Sequence, residues 1–566
     1  MKQLIECVPN ISEGRDMNII NQVTAEIEKV EGVKLLDVDP GATTNRTVIT
    51  FVGEPANVCE AAFRVVKKAS ELIDMRNHHG DHPRFGATDV CPLVPVSNIE
   101  MDEVVTYARE LGKRIGEELN IPVFCYENAA FTPERRNLAN CRAGEYEALA
   151  NRICTPQWKP DFGPDKFDAH VATTGATAVG ARDFLVAINY NLNTTSTRRA
   201  NAIAFDVREK GRPKRVGPKV TDKPMKDENG NVIMIPGTLK GTKAIGWYIE
   251  EYGIAQVSMN ITNINVSPVH VCFEEVCAKA AARGIRVTGC EIVGLIPKKV
   301  LIEAGRYYLA KQQRSLGISE DEIIKIAVKS MGLDDLKPFN AKEKVIEYLI
   351  EDNSNKRLVS MTCAGFAAET ASESPAPGGG SISAYMGCLG ASLGTMVANL
   401  ASHKAGWDDK WEFFSQWAEK GQILKDTLLD LVDEDTNAFN KIMSAFGMPK
   451  KTDEEKAARA EAIENASKYA IEVPFKVMNV AYDAFDVVEA MAKDGNPASV
   501  SDAGVGALCC RSAVMGAYLN VKINAAGIKD RDFADKMVAL GAEIQAKALR
   551  REAEILDVVN KIIDKK

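Results

Sequence analysis

Three of the chain's six histidines fall within five residues, in Asn77-His78-His79-Gly80-Asp81-His82-Pro83-Arg84-Phe85-Gly86. Gly80 and Pro83 interrupt any helix here, so the helical spacing of a zinc set is missing and no metal is expected. His82, between Asp81 and Pro83-Arg84 beside glycines, is the imidazole placed to move protons near neutral pH. His78 and His79 read as loop residues. A second cluster is Asp37-Val38-Asp39-Pro40-Gly41-Ala42-Thr43-Thr44-Asn45-Arg46. A carboxylate in it could orient or charge-stabilise an imidazole; the plainer reading is an Asp/Pro/Gly turn. Pro9-Asn10-Ile11-Ser12-Glu13-Gly14-Arg15 reads as the lead into a first helix, with Ser12 as its N-cap. Far downstream, Pro375-Ala376-Pro377-Gly378-Gly379-Gly380-Ser381 runs into a helix. Free amides at such a start take anions. No Lys follows, so this is not a phosphate loop, and a carboxylate or polar heterocycle is an equal guest. The alternative is a turn chosen for close packing. Acids follow at Asp408, Asp409, Glu412, Asp433, Asp435 and Asp502. Most such acids are solvated surface. Asp433 sits at the edge of the apolar run Leu428, Leu429, Leu431 and Val432, where a raised pKa suits an acid or base.

The elements that must hold these residues fall into three textures. Residues 1–180 alternate strand and helix: Val33–Val38 and Arg46–Val52 are predicted strands. Pro55–Ile73 is a predicted helix with Val58, Ala62, Val65 and Ala69 on one side. Residues 181–335 form a second α/β unit, with strands in Phe184–Tyr190, Gly253–Ile264 and Arg286–Leu295 and a polar loop or hairpin at Val220–Asn231. Residues 336–357 read as a linker with one short helix, Lys342–Ile350. Residues 358–566 are predicted all-α, with helices at Trp411–Glu434, Asp453–Tyr469, Val473–Ala492, Val505–Leu519 and Asp530–Lys565. A chain of 566 residues with 45% hydrophobic side chains exceeds one core and fits several folding units. A net charge of −8 argues against a nucleic-acid binder. Thirteen cysteines without patterned spacing predict reduced thiols and a cytoplasmic protein. The N-terminus has no apolar core of a signal peptide. The uncharged stretch Ser374–Ser402 is too rich in Gly, Ser and Ala for a membrane span and predicts a tightly packed helix; its small residues suggest self-association.

Several of these motifs resemble a known family. Val8–Arg15, Leu36–Asp39, Asn45–Val48 and Gly80–Arg84 are similar to glutamate formimidoyltransferase. Pro375–Ser381, Ser501-Asp502 and Ala517–Asn524 are similar to formimidoyltetrahydrofolate cyclodeaminase. In this order they resemble the fused bifunctional family along nearly the whole chain. The resemblance implies two mixed-sheet α/β formimidoyltransferase subdomains followed by an all-α cyclodeaminase domain. It implies transfer of a formimidoyl group from N-formimidoyl-L-glutamate to N5 of tetrahydrofolate. Ring closure to 5,10-methenyltetrahydrofolate then releases ammonia. Histidine degradation and one-carbon metabolism are the setting. His82 matches the family's catalytic acid/base and Asp39 an acid beside it; Asn10, Asn45, Arg46 and Arg84 lie in the matching motifs. Folate contacts are implied for Gly163, Pro164, Asp165, Lys166, Phe167 and Asp168, in a segment a few residues longer than the family's, and for Gly378, Gly379, Gly380, Ser381 and Asp502. The rear acid's position is altered: an ungapped match puts Trp411 there, leaving Asp408, Asp409 or Glu412, with Asp433 and Asp435 in reserve. No tightly bound cofactor is implied. Tetrahydrofolate with its polyglutamate tail is a co-substrate, and family members are ring-like homo-oligomers. The rear domain also resembles methenyltetrahydrofolate cyclohydrolases. The remaining alternative is a non-catalytic folate-binding assembly protein.

Overall fold

The computed structural model describes residues 3–42, 44–80, 83–219, 221–350 and 357–565. They form two compact units, 1–304 with 328–351, and 305–327 with 352–566. The front unit opens with β1 (Leu4–Cys7), β2 (Asn10–Ile11), α1 (Met17–Glu28), β3 (Val33–Gly41), β4 (Arg46–Gly53), α2 (Pro55–Leu72) and β5 (Thr88–Ser97). Then come α3 (Met101–Leu119), β6 (Val123–Glu127), α4 (Leu138–Cys141), α5 (Glu145–Arg152), α6 (Ala169–Thr174) and β7 (Thr177–Ala181). These strands make one mixed sheet. β3 and β4 pair antiparallel, β1 and β2 lie end to end between β4 and β5, and β5, β7 and β6 run parallel.

Strand alternation gives this sheet two unlike faces. Ile5, Cys7, Ile11, Ile49, Phe51, Cys91 and Leu93 pack with the apolar sides of α1, α2 and α3. The predicted stripe Val58, Ala62, Val65 and Ala69 is fully buried there. On the other face, Phe85, Phe124, Tyr126 and Val171 build a smaller core under α4–α6 at the β5–β7–β6 side. The β3–β4–β1/β2 side of that face carries Asp37, Asp39, Arg46, Thr50, Glu6 and Asn10, the residues out of phase with the core. The N-cap of α1 is Asp16, whose carboxylate accepts from Asn18 N at 2.8 Å. Ser12 instead donates to Gly86 O at 2.8 Å, tying the first strands to the histidine loop.

The front unit continues with β8 (Val186–Leu192), α7 (Thr197–Val207), the hairpin β9 (Arg212–Pro213) and β10 (Met234–Ile235), β11 (Thr242–Ile249), β12 (Ile254–Ile261), α8 (Val269–Ala281) and β13 (Val287–Val293). β11, β12, β8 and β13 form an antiparallel sheet in that order. Its face away from α7 holds a chain of hydrogen bonds. Trp247 donates to Gln256 (3.1 Å), Gln256 to Asn191 (2.8 Å) and Asn191 to Asp335 (3.0 Å). Next along the chain come α9 (Lys298–Lys311), α10 (Glu320–Met331), α11 (Ala341–Lys344) and α12 (Ile346–Ile350). Residues 336–350 were expected to be a linker, but they pack on the front unit. Val345 and Ile346 are fully buried, and Ile346 N donates to Ile296 O at 3.0 Å. Those two apolar side chains gain more from burial than a solvated connection would give.

The rear unit is helical, as expected: α13 (Cys363–Thr370), α14 (Gly379–Ser402), α15 (Trp411–Phe446), α16 (Asp453–Asp494), α17 (Val500–Ala525) and α18 (Arg531–Ile563). Among the described residues α14 alone is long and apolar enough to cross a membrane, and it lies inside the bundle. Its small residues let other helices approach: Gly387 meets Leu428, Ala481 and Ala513, Gly390 meets Cys510, and Gly394 meets Val487 and Val488. The stripe therefore packs within the chain, as expected of a tightly packed helix. The two helices expected at Asp453–Tyr469 and Val473–Ala492 are one, α16, started by a Thr452–Glu455 capping box. Pro474 has no N–H for the carbonyl of Ala470. Asn524 Nδ2 donates to that carbonyl instead, at 2.7 Å. The helix survives because α17 supplies the missing donor.

Candidate active sites

In the front unit the two sequence clusters meet. Asn45 Nδ2 donates to His79 O (3.0 Å), and its Oδ1 accepts from Gly14 N (3.1 Å). His78 is buried, with Nε2 2.8 Å from Asn45 O. The Asn45 carbonyl accepts, so Nε2 carries the proton, and Nδ1 accepts from Arg84 Nε at 3.4 Å; burial holds this imidazole below its ordinary pKa. Arg84 forks onto Glu147 at 2.8 and 2.9 Å and touches Glu145 at 3.2 Å. Arg84, expected as a substrate contact, ties the histidine loop to α5 and also lines the recess. A Cβ on Gly80 would lie 2.2 Å from Thr44 O, so the loop passes that strand end too closely for any side chain. Both flanks of the histidine motif are thus anchored, around a 490 Å³ recess lined by His79, Gly80, Arg84, Gly144, Glu145 and Glu147. Asp81 and His82 themselves lie outside the described residues.

Beside this recess, Arg46 pairs with the fully buried Asp89, and Arg142 reaches the same carboxylate oxygen at 2.8 Å. Arg46 Nε also donates to Asn10 at 3.0 Å, and Asp89 accepts from Phe85 N at 3.2 Å. Two guanidiniums against one carboxylate leave a unit of positive charge on the polar sheet face, which suits an acidic substrate. Asp89 and Arg142 were not legible as site residues. Asp89 follows the histidine motif closely, but nothing in the sequence ties Arg142 to it.

Asp39 sits on the outer strand β3 opposite Val48, on the same face. So does Glu6, at the centre of the sheet and also missed. Burial pushes its carboxyl from an ordinary 4.5 up to about 7, with Arg182 opposing and Glu347 reinforcing. A folded pKa above the unfolded one means that this group's stabilisation is complete below 4.5 and lost as pH rises through about 7. Glu6→Gln should therefore gain about 3 kcal/mol over the parent at pH 8 and nothing at pH 4, read from urea unfolding at the two pH values.

The segment Gly163–Asp168 runs by the β6 edge, at the other side of the sheet. Phe162 bridges to Val123, and Gly163, at φ +80°, packs on Ile121. Lys159 pairs with Asp165 at 3.2 Å, Phe167 packs on Tyr146, and Asp168 caps α6 through Val171 N at 2.9 Å. Asp168 is therefore a helix cap; among the described residues, Pro164 and Lys166 make no side-chain hydrogen bond or ion pair with the Arg46 cluster.

In the rear unit the Gly-rich start of α14 faces α15 and α17. A 160 Å³ recess is lined by Gly378, Gly379, Gly380, Asp435, Asn520 and Asn524, among others. Asp435 Oδ2 accepts from Ser381 N at 3.0 Å and Ser381 Oγ at 3.3 Å. The amide expected to hold a substrate anion is thus taken by the protein's own carboxylate. Burial raises the pKa of Asp435, against both hydrogen bonds. A Cβ on Gly380 would lie 2.0 Å from Asp435 Oδ1, and one on Gly379 would lie 3.4 Å from Asn520 Nδ2. The glycines admit side chains from α15 and α17 onto the helix start. Gly380→Ala should cost about 1–3 kcal/mol, seen as a lower denaturant midpoint for the rear unit.

The other acids are elsewhere. Asp433 is buried with its oxygens taken by Leu358 N (2.8 Å) and Val359 N (3.1 Å), so it is a structural acceptor. Asp408, Asp409 and Glu412 are beyond the C-terminal end of α14, and Asp502 is in the first turn of α17. At 1.5 Å per residue, α14 sets the first three roughly 35 Å from the glycines, and α17 sets Asp502 roughly 27 Å from Asn520.

Three family profiles match the chain. That described as the formiminotransferase domain, N-terminal subdomain, covers residues 4–182, the formiminotransferase domain covers 187–351, and formiminotransferase-cyclodeaminase covers 362–541. Formimidoyltransferase-cyclodeaminase of Gallus gallus is 40% identical over 562 residues, 99% of each chain. Glutamate formimidoyltransferase of Streptococcus pyogenes serotype M1 is 41% identical over 309 residues, 55% of this chain and 94% of its own. Methenyltetrahydrofolate cyclohydrolase of Methylorubrum extorquens is 42% identical over 166 residues, 29% of this chain and 80% of its own. With its two halves matched in order and a relative aligned from end to end, the chain belongs to the formimidoyltransferase-cyclodeaminase family.

Proposed function

We propose that the protein is a bifunctional enzyme that moves a formimidoyl group from N-formimidoyl-L-glutamate to N5 of tetrahydrofolate and then closes 5-formimidoyltetrahydrofolate to 5,10-methenyltetrahydrofolate, releasing ammonia. The observation that carries this is the collinear 40% identity to a formimidoyltransferase-cyclodeaminase over 99% of both chains. In the first step N5 attacks the amidine carbon, and the tetrahedral centre expels glutamate. His82 is the acid/base, with Asp39 of β3 as the assisting acid. The reading is supported by the anchoring of both flanks of His82 through Asn45 and Arg84. The excess charge of Arg46 and Arg142 receives a substrate carboxylate, and holding both reactants together lowers the barrier further. In the second step N10 attacks the formimidoyl carbon and Asp435 protonates the departing nitrogen. Its raised pKa keeps a proton available at higher pH than an ordinary aspartate would.

The same relatives support tetrahydrofolate as co-substrate without a tightly bound cofactor. We place the protein in the cytoplasm, in keeping with its unpaired cysteines. A homo-oligomer is supported by the exposed apolar side chains Leu389, Ile423, Leu519 and Ile523 on the rear helices. The cyclohydrolase relative favours a second reading of the rear unit, with water as the nucleophile. Ammonia measured from supplied 5-formimidoyltetrahydrofolate decides between them: release no faster than without enzyme removes the cyclodeaminase. A His82→Ala chain should lose formimidoyl transfer and keep ammonia release. Transfer at the parent rate would take His82 out of the mechanism.

A further inference from the structure

The Gly-rich recess carries two acceptors that a general acid does not need. Asn520 and Asn524 lie one turn apart on the same face of α17, and both line it. Each amide nitrogen is engaged elsewhere. Asn520 Nδ2 donates to Gly516 O at 2.9 Å, and Asn524 Nδ2 donates to Ala470 O at 2.7 Å. A carbonyl only accepts, so turning either amide over would set oxygen against oxygen. The two Oδ1 atoms are therefore committed as acceptors. Among the described residues no protein donor reaches either of them. Both residues are only half-buried and line the recess, which leaves these oxygens within reach of a molecule that enters it.

Asp435 completes the set. Its Oδ2 accepts from Ser381 N and Ser381 Oγ, which leaves Oδ1 free of both. A Cβ on Gly380 would meet Asp435 Oδ1 at 2.0 Å, and one on Gly379 would lie 3.7 Å from Asn520 Oδ1. These two oxygens thus face consecutive glycines at the start of α14. Among the described residues no Lys, Arg or His lines the recess, so its acceptors await donors from a ligand. The recess measures 160 Å³. At about 30 Å³ for one water, that admits the end of a molecule and not a whole one.

We propose that Asn520 and Asn524 select ammonia as the group that leaves in ring closure, by holding the two hydrogens of its nitrogen while Asp435 Oδ1 supplies the third. The proposal rests on the reading of the rear unit as a cyclodeaminase. Starting from the neutral amidine, the N10 proton converts =NH to –NH2 as N10 attacks. The nitrogen on the tetrahedral carbon then has two N–H bonds and one lone pair. Its hydrogens meet the Asn520 and Asn524 oxygens, and its lone pair meets the proton on Asp435 Oδ1. The C–NH2 bond breaks with its electron pair on nitrogen. The nitrogen takes the Asp435 proton and leaves as ammonia, and the methenyl cation stays with the Asp435 carboxylate. A hydroxyl in the same place brings one hydrogen for two acceptors. One amide oxygen then goes unmet, which disfavours that transition state about tenfold or more.

Two measurements on the full chain test this. Saturation-transfer NMR follows the methyl protons of methylammonium and of tetramethylammonium, which has the same charge and no N–H. Methylammonium should receive transfer from the parent, with tetramethylammonium at baseline. Asn520→Leu should need at least fivefold more methylammonium for the same signal. Gly516 O keeps its helical partner, Asn520 N, in this variant, so α17 survives the change. The second measurement is ammonia release from 5-formimidoyltetrahydrofolate. In Asn520→Leu and in Asn524→Ser kcat should fall about tenfold or more with KM within about threefold, because the –NH2 group forms only after attack. A parent that releases no ammonia but binds methylammonium through Asn520 keeps the nitrogen cradle and loses the cyclodeaminase reading. The proposal is overturned if the parent takes both cations alike or neither. It is also overturned if Asn520→Leu matches the parent in binding, or in kcat where the parent releases ammonia.

Discussion

Asp435→Asn should lower ammonia release from 5-formimidoyltetrahydrofolate by about 10²–10⁴-fold, the usual worth of a positioned general acid. Formimidoyl transfer in the same protein should stay within about twofold, because no front-unit group is touched. The substitution keeps an oxygen for Ser381 N and Ser381 Oγ, so the start of α14 stays capped while the transferable proton is lost. A rate–pH profile separates this from simple damage. In the parent, release falls as pH rises through the raised pKa of Asp435; in the variant that limb disappears. An unchanged rate would return the role to Asp408, Asp409 or Glu412, which a partner copy or a motion would then have to bring to the recess.

The second large effect is in the front unit. Asp89→Ala removes the only acid between Arg46 and Arg142 among the described residues, and strands Arg46 at 9% exposure. An unpaired buried charge of this kind costs about 3–5 kcal/mol. Phe85 N also loses its acceptor, so the loop carrying the histidine motif loosens at its C-terminal flank. Formimidoyl transfer should collapse and the front unit should melt earlier. Ammonia release from supplied 5-formimidoyltetrahydrofolate should persist at temperatures where the rear unit is intact. Calorimetry alongside the two assays reads all three. A protein that transfers and melts like its parent would mean the two guanidiniums find other partners.

The fold was legible where local pattern and burial agree. The stripe of α2, strands β3, β4, β8, β12 and β13, and the switch to helices after residue 358 all follow from periodicity that the cores then use. It was misread where a distant residue overrides a local rule. The break expected between Tyr469 and Val473 is absent: Asn524, fifty residues beyond Pro474, satisfies the carbonyl that the proline frees. The candidate sites divide the same way. Asn10, Asn45, Arg46 and the glycines carry their meaning in short motifs. Asp89, Arg142 and Glu6 acquire theirs only from strand parity and burial, and Asp433 and Asp435, two residues apart, exchange roles because one meets Leu358 and Val359 amides and the other meets Ser381.

The bond from Asn524 to the Ala470 carbonyl has an evolutionary consequence. Ala470 and Asn524 both line the Gly-rich recess, so the side chain that repairs the proline break also shapes the cavity. Replacing Pro474 alone restores a backbone donor and frees the Asn524 amide to turn toward the recess. Replacing Asn524 alone strands a carbonyl. Each change is therefore conditional on the other, and a lineage can leave this pairing only by passing through a chain with an altered cavity. The helix break and the binding pocket are inherited as one epistatic unit.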